Sequence, residues 1–308
     1  MKTVLQLGMI KEELPEIDFS SFEIKLKLEE KSPFLKSDFP GAIVRGSIMY
    51  KGKKLLCANT KLFDCKRCIL AEKCTYARLF ETIRPKKSAI MRKYKEIPHP
   101  FVLTPIIKGN EMNVFITLFG EYIEYFPYFY LIFRSLEKDK NFSLISIKNF
   151  DKEILKEDHI SSNFEVRRFS RINFGVPASE ISIEFLTPLR IKSNGKYVNP
   201  TNLKFKHIAK NLIRRLSLLS YFYGSLWTAD FKKLIELAED IKIKQSSLGW
   251  LEMERYSLRQ KKYISMGGIV GNITFSGNIS PFYKLLKIGE YTHIGKNTSF
   301  GHGYYKIK

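Results

Sequence analysis

Residues 21–56 read SFEIKLKLEEKSPFLKSDFPGAIVRGSIMYKGKKLL. Within Ser21–Glu30 the apolar side chains fall on alternate positions, at Phe22, Ile24, Leu26 and Leu28. Successive side chains of a strand point to opposite faces, so this pattern predicts a strand with one buried face. Pro33 and the pair Pro40-Gly41 break it. From Gly41 to Leu56 the apolar spacing lengthens, with Ile43, Val44 and Ile48 on one side and Arg45 between them, which predicts a helix.

Working outward, a cysteine-rich insert over Cys57–Glu81 follows the helix, then a basic irregular stretch through Pro105. Val114–Leu118 reads as a strand, Tyr122–Leu136 as an aromatic-rich helix interrupted or started by Pro127, and Phe142–Ile147 as a strand. The second half repeats the order. Ser182–Ile191 is a strand, and Leu203–Tyr223 is a long amphipathic helix bearing Lys204, Lys206, Lys210, Arg214 and Arg215. Glu252–Ser257 and Gly268–Phe275 read as two strands joined by the basic turn Arg259–Lys262. Pro281–Ile288 is a short helix, and Tyr304–Lys308 a closing strand. The expected class is α+β, with two tandem ferredoxin-like (RRM-like, βαββαβ) domains. Residues 1–160 form the first, with the four-cysteine insert at 57–81, and residues 161–308 the second. The boundary falls within Asp151–Pro177, a stretch mixing charge, Ser and Gly. Helices on one face of each sheet leave the other face free to meet RNA.

Lys and Arg total 52 against 31 Asp and Glu, a formal net charge of +21, and 44% of residues are hydrophobic. That apolar content excludes a disordered chain. Lys/Glu enrichment alone would raise both signs together, so the imbalance points to a polyanionic partner, most often nucleic acid. No apolar run approaches the roughly 20 residues that span a bilayer, and the start MKTVLQLGMIKEELPE lacks the apolar core of a signal peptide. No membrane partner and a cytoplasmic location are expected.

All four cysteines, Cys57, Cys65, Cys68 and Cys74, lie in the insert, with Cys65-Lys66-Arg67-Cys68 forming a C-x-x-C knuckle. Such spacing suits one structural zinc ion per chain, with an iron–sulfur cluster or free thiols as alternatives. Four protein ligands would leave no open position, so no catalytic metal is implied.

The glycine-rich segment Gly289–Tyr305, GEYTHIGKNTSFGHGYY, sets Gly295, Gly301 and Gly303 beside His293, Lys296 and His302. Glycine allows positive φ and close approach of a phosphate to main-chain N–H groups, and Lys296 would add charge. A plain glycine-rich turn into the last strand is the competing account.

Taken together, three elements resemble a known family. They are Glu254-Arg255-Tyr256-Ser257-x-Arg259-Gln260, then Met266-Gly267-Gly268-x-x-Gly271, then His293-Ile294-Gly295-Lys296-Asn297-Thr298-Ser299-Phe300-Gly301-His302-Gly303-Tyr304. They look like the CRISPR precursor-RNA processing endoribonucleases of the RAMP superfamily, in the branch with a cysteine-bearing N-terminal half. Phe39-Pro40-Gly41-Ala42-Ile43-Val44-Arg45-Gly46 and Pro98-His99-Pro100-Phe101-Val102-Leu103 agree with it. The resemblance implies two ferredoxin-like domains and one cut per CRISPR repeat without a metal ion. The 2′-hydroxyl would attack, giving a 2′,3′-cyclic phosphate and a 5′-hydroxyl. His293 is the first candidate for proton transfer, Lys296 for charge stabilisation, His302 second and His99 third; His159 and His207 rank below them. Arg45, Lys204, Arg214, Arg215, Arg255 and Arg259, with Gly295, Gly301 and Gly303, are the expected RNA contacts. CRISPR repeat RNA or crRNA is the expected partner, and further CRISPR effector subunits are candidates. A homodimer through the aromatics of Tyr122–Tyr130 is an open alternative to their lying in a core. Also open are a cleavage-inactive repeat-RNA-binding subunit and a zinc-containing nucleic-acid-binding regulator.

Overall fold

A computed structural model describes residues 14–60, 64–84, 97–176, 179–257 and 261–308. Strand β1 (Asp18–Leu28) buries Phe22, Ile24, Leu26 and Leu28, as the alternation requires. It is followed by α1 (Pro40–Leu56), β2 (Phe101–Lys108), β3 (Glu111–Phe119), α2 (Phe126–Lys140) and β4 (Phe142–Asn149). The antiparallel sheet runs β2-β3-β1-β4. Ile24 lies opposite Val114 of β3 and Ile147 of β4, so one apolar row crosses the sheet under the helices. Proline opens both helices: Pro40 and Pro127 sit in first turns, where a missing N–H costs nothing. Pro127 therefore starts α2, and Asn141, at φ 52°, ends it.

The second half repeats the plan with β5 (Glu180–Leu189), α3 (Phe205–Tyr223), β6 (Lys242–Leu251), β7 (Gly268–Ser276), α4 (Ser280–Thr292) and β8 (Tyr305–Ile307). Its sheet runs β6-β7-β5-β8, the same order as the first. Both halves are ferredoxin-like in topology. A short strand, Arg167–Arg168, pairs with Asp18–Phe19 of β1, and Arg168 holds Asp18 through two hydrogen bonds of 2.6 and 2.9 Å. The first sheet thus draws on chain beyond the expected division at residue 160.

Two expectations need correction, and one open alternative is narrowed. Phe101–Lys108, expected to be irregular as far as Pro105, is β2; it lies at a sheet edge, where a proline's lack of a donor is tolerated. The partner of Gly268–Phe275 is β6 and not Glu252–Ser257. Residues Glu254–Ser257 pair instead with Lys262–Ser265 in a separate hairpin projecting between β6 and β7. Finally, Tyr122, Phe126, Phe129 and Tyr130 are all buried, with Phe126 stacked on Phe22 at 3.6 Å between ring centres. Tyr125 and Tyr128 of the same stretch are half-buried, so most of these aromatics belong to the core. Among the described residues no helix is long and apolar enough to cross a membrane.

The halves meet through close backbone contacts. A Cβ on Gly41 would lie 2.0 Å from the Phe300 carbonyl oxygen, and one on Gly120 2.3 Å from that of Tyr223, so only glycine lets these surfaces touch. Tyr223 donates its hydroxyl to the Pro98 carbonyl across the same interface.

Candidate active site

The loop after α4 builds one wall of this interface. His293 leaves the helix at φ 58° and ψ 169°, and positive φ recurs at Gly295, Asn297, Gly301 and Gly303. The loop folds back on itself. The amides of Ile294, Lys296, Phe300, Gly301, His302 and Gly303 donate to the carbonyls of Gly303, Arg190, Asn297, Thr298, Asn297 and Pro188 respectively. Those six N–H groups are therefore spent inside the protein. A Cβ on Gly303 would stand 1.8 Å from the Ile294 oxygen, which explains the glycine as a packing requirement. Gly301 and Gly303 are buried and do not face a phosphate as expected.

Both loop histidines point inward as well. His293 is 3% exposed. Its Nδ1 lies 3.2 Å from the His302 carbonyl and its Nε2 3.1 Å from the Thr104 hydroxyl of β2. A single neutral tautomer satisfies both: Nδ1–H donates to the carbonyl and Nε2 accepts from Thr104. His302 has no exposed surface, and its Nε2–H donates to the Met266 carbonyl at 2.6 Å. Burial drives the His293 pKa down to about 3, helped by Arg215, and that of His302 down to about 4. Both rings are neutral near pH 7, and neither lines a cleft. Their expected place at a scissile phosphate is corrected to a place in the seam between the halves.

The outer side of the same loop is different. Gly295 through Phe300 line a cleft of about 1740 Å³ between the halves. Small-molecule pockets hold roughly 300–1,000 Å³, so this volume suits a polymer segment better. Opposite the loop lie Arg45 from α1 and His99 from the segment before β2, with Arg255 from the projecting hairpin. Phe300 is held between two guanidiniums, with Arg45 4.1 Å and Arg255 4.7 Å from its ring centre. Arg45 also donates its Nε–H to Ser299 at 3.2 Å, fixing α1 to the loop. Burial and the charge of Arg255 lower the Arg45 pKa to about 10, which leaves it cationic at neutral pH. The wall also carries carboxylates, Glu81, Glu252 and Glu254 among them, so the positive potential is local to the arginines and Lys296.

His99 is the histidine of this cleft. Its Nε2 lies 3.2 Å from both the Phe80 carbonyl and Arg45 Nη2. Only one of these contacts can be a hydrogen bond in a given tautomer, because Nε2 either donates or accepts. Burial, then the charge of Arg45, pushes its pKa down to about 3, so it too is neutral. In the sequence it ranks third, marked by its two flanking prolines and by the resemblance of Pro98–Leu103 to the family.

The structure therefore brings Arg45, Arg215, Arg255, Gly295 and Lys296 to one cleft. Lys296, which is exposed, also borders a second pocket of about 350 Å³ that Arg214, Lys210 and Lys192 line. Lys204 lies in neither pocket; its backbone N–H donates to His207 Nδ1 at 3.2 Å and so begins α3. Arg259 lies outside the described residues.

Of the four cysteines expected to hold zinc, Cys65 is buried and Cys57, Cys68 and Cys74 are half-buried. Among the described residues no three Cys, His, Asp or Glu side chains converge as metal ligands would. Cys65 is buried, and burial, then Glu81, raises its thiol pKa to about 11, with Cys57 and Cys74 pushing the same way against Lys53.

Comparison with known proteins agrees with this architecture. Residues 17–163 match the family model AF_1859_N, N-terminal domain, and residues 183–305 match that of the CRISPR-associated endoribonuclease Cas6. An uncharacterized protein of Archaeoglobus fulgidus is 30% identical over 293 residues, 90% of this chain and 92% of that protein. A Cas6 of Thermus thermophilus superposes with a TM-score of 0.55 at 14% identity, over 95% of this chain and 99% of its own. A chain of a partial Cas6-RT-Cas1–Cas2 complex gives a TM-score of 0.61 at 15% identity, over 96% of this chain and 47% of its own. At such identities the superpositions establish the shared fold. The shared fold runs over nearly the whole chain, and its second half, residues 183–305, belongs to the family of CRISPR-associated Cas6 endoribonucleases.

Proposed function

We propose that this protein cleaves CRISPR repeat RNA in the cleft between its halves, by attack of a ribose 2′-hydroxyl on the adjacent phosphorus and without a metal ion. The observation that carries this reading is a neutral histidine against Arg45, with Arg255 and Lys296 on the walls of the same cleft, which is too large for a small ligand. His99 takes the 2′-hydroxyl proton, with the negative charge of the bound phosphate offsetting the guanidiniums that hold the pKa of the free ring low. The 2′-oxygen bonds to phosphorus, the bond to the 5′-oxygen breaks, and the leaving oxygen takes a proton from solvent. The guanidiniums and Lys296 stabilise the charge that builds on the phosphorus oxygens, the largest single contribution in most such reactions. The products are a 2′,3′-cyclic phosphate and a 5′-hydroxyl. His293 and His302 hold the loop that carries Lys296 and do not exchange protons with the RNA.

A repeat-RNA-binding subunit without cleavage is the second reading. It is favoured by the internal pairing of both loop histidines. Incubating a repeat transcript with the pure protein in EDTA separates the two. Cleavage is expected, with products ending in a cyclic phosphate. An intact transcript, or cleavage only on addition of a divalent ion, contradicts the metal-free reading.

A further inference from the structure

Arg215 is a second arginine of the cleft with an unusual environment. It sits on α3, in the second half, and is 8% exposed. Its Nε–H donates to the Thr292 carbonyl at 2.9 Å, a favourable place for a cation at the end of α4. That accounts for one edge of the guanidinium. Its Nη2 is buried and has no hydrogen-bond partner among the described residues. Burial lowers its pKa to about 10, Tyr223 opposes that shift, and among the described residues no carboxylate compensates the charge. A buried guanidinium with an unpaired N–H and no counter-ion is costly, and an incoming anion would remove that cost. Arg255 shows the same deficit in milder form: its Nε is buried and unpartnered, and it lines the same cleft. The charges of Arg45 and Arg215 both act on His99, so this ring has a guanidinium from each half in its surroundings.

We propose that Arg215 and Arg45 together bind one phosphate group of the RNA backbone across the seam between the halves, with Arg215 reaching it from the cleft floor. This rests on the RNA-cleaving reading for the identity of the substrate, though not for the existence of the anion site. The shared chemistry is a phosphate monoanion, supplied either by an RNA phosphodiester or by free phosphate, and the proposal commits to the RNA.

The test uses the full chain as wild type, Arg215→Met and Arg215→Lys. Inorganic phosphate is titrated against chloride at matched ionic strength, with thermal unfolding as the readout. Binding of a repeat RNA carrying 2′-deoxyribose at the cut site is measured across a salt series. Phosphate is expected to raise the unfolding temperature of wild type and not of Arg215→Met. RNA affinity should fall about tenfold in Arg215→Met, the value of a charge-assisted hydrogen bond, with a salt slope shallower by about one, and Arg215→Lys should recover part of both. A purely structural role would lower the unfolding temperature and leave the phosphate response and the salt slope unchanged, which overturns the proposal. Loss of the phosphate response with unaltered RNA affinity also overturns it, because the site would then serve free phosphate. If Arg215→Met does not fold, the guanidinium nitrogen resonance of Arg215 in wild type is followed during RNA addition, and an unmoved signal counts against the site. Loss of RNA binding in the variant, combined with no cleavage by wild type, sustains the anion site and removes only the enzymatic reading.

Discussion

The inner and outer sides of the loop at residues 293–303 contrast sharply. On the inner side His293 and His302 are sealed from solvent, bonded through both rings to the protein, and held neutral. On the outer side Lys296 is exposed, and Ser299 and Phe300 dock against Arg45. The residues that look most reactive in the sequence are the ones the fold uses as fasteners. The difference teaches that glycine and histidine here set the spacing between two halves, while the open cleft is lined by cations gathered from α1, the hairpin and the loop.

The largest effect expected from breaking the inner side is at Gly303, where φ is 69° and a side chain would collide with the Ile294 oxygen. Gly303→Val should cost about 4 kcal/mol or more, through strain and overpacking together, read as a collapse of the denaturant midpoint. A midpoint near wild type would mean the loop is not locked as described. Next comes His293→Leu, which strands the Thr104 hydroxyl and the His302 carbonyl and should cost about 2–4 kcal/mol. Cleavage per folded molecule should change little, and a variant as stable as wild type would refute the fastener role.

pH sharpens the same contrast. His99, His293 and His302 have pKa values of about 3, 3 and 4 in the folded chain, against 6.5 for an unperturbed histidine. Between these limits the unfolded chain binds more protons, so the stability these histidines contribute is complete above about pH 6.5 and is lost as pH falls toward about pH 3. His293→Leu should make that decline shallower by the proton of one histidine. An equal slope in both proteins would show that His293 is not buried neutral. The smallest effect is expected on the outer side: Lys296→Ala should leave unfolding unchanged and reduce the salt slope of RNA binding by about one. An unaltered slope would remove Lys296 from the RNA path.

Much of this fold is legible in the sequence where packing is one-sided. The alternation of Phe22, Ile24, Leu26 and Leu28 is the buried face of β1, and the prolines at 40 and 127 mark helix starts. β6 left no such mark, because it is an edge strand exposed along most of its length and so has little apolar pattern to read. The division of labour between Arg214 and Arg215 is also legible in the sequence. Position 215 lies three residues after Leu212 and four before Leu219, inside the apolar stripe of α3, and the structure buries it while Arg214 stays exposed. Which way His293 and His302 point was not available. A loop with positive φ at five of its residues follows no period, so the direction of a side chain there depends on contacts made by residues nearly two hundred positions away, such as Thr104. The cysteine spacing likewise marks an insert without fixing whether the sulfurs converge.

Single-turnover cleavage of a repeat RNA in chelator, compared between His99→Ala and His293→Gln with both shown to be folded, tests the central claim most directly. His99→Ala should slow cleavage by about 10²–10⁴-fold, the usual worth of a general base, while His293→Gln stays within a few-fold of wild type. Undiminished cleavage by His99→Ala together with abolished cleavage by folded His293→Gln would move the chemistry back into the buried loop and contradict the account.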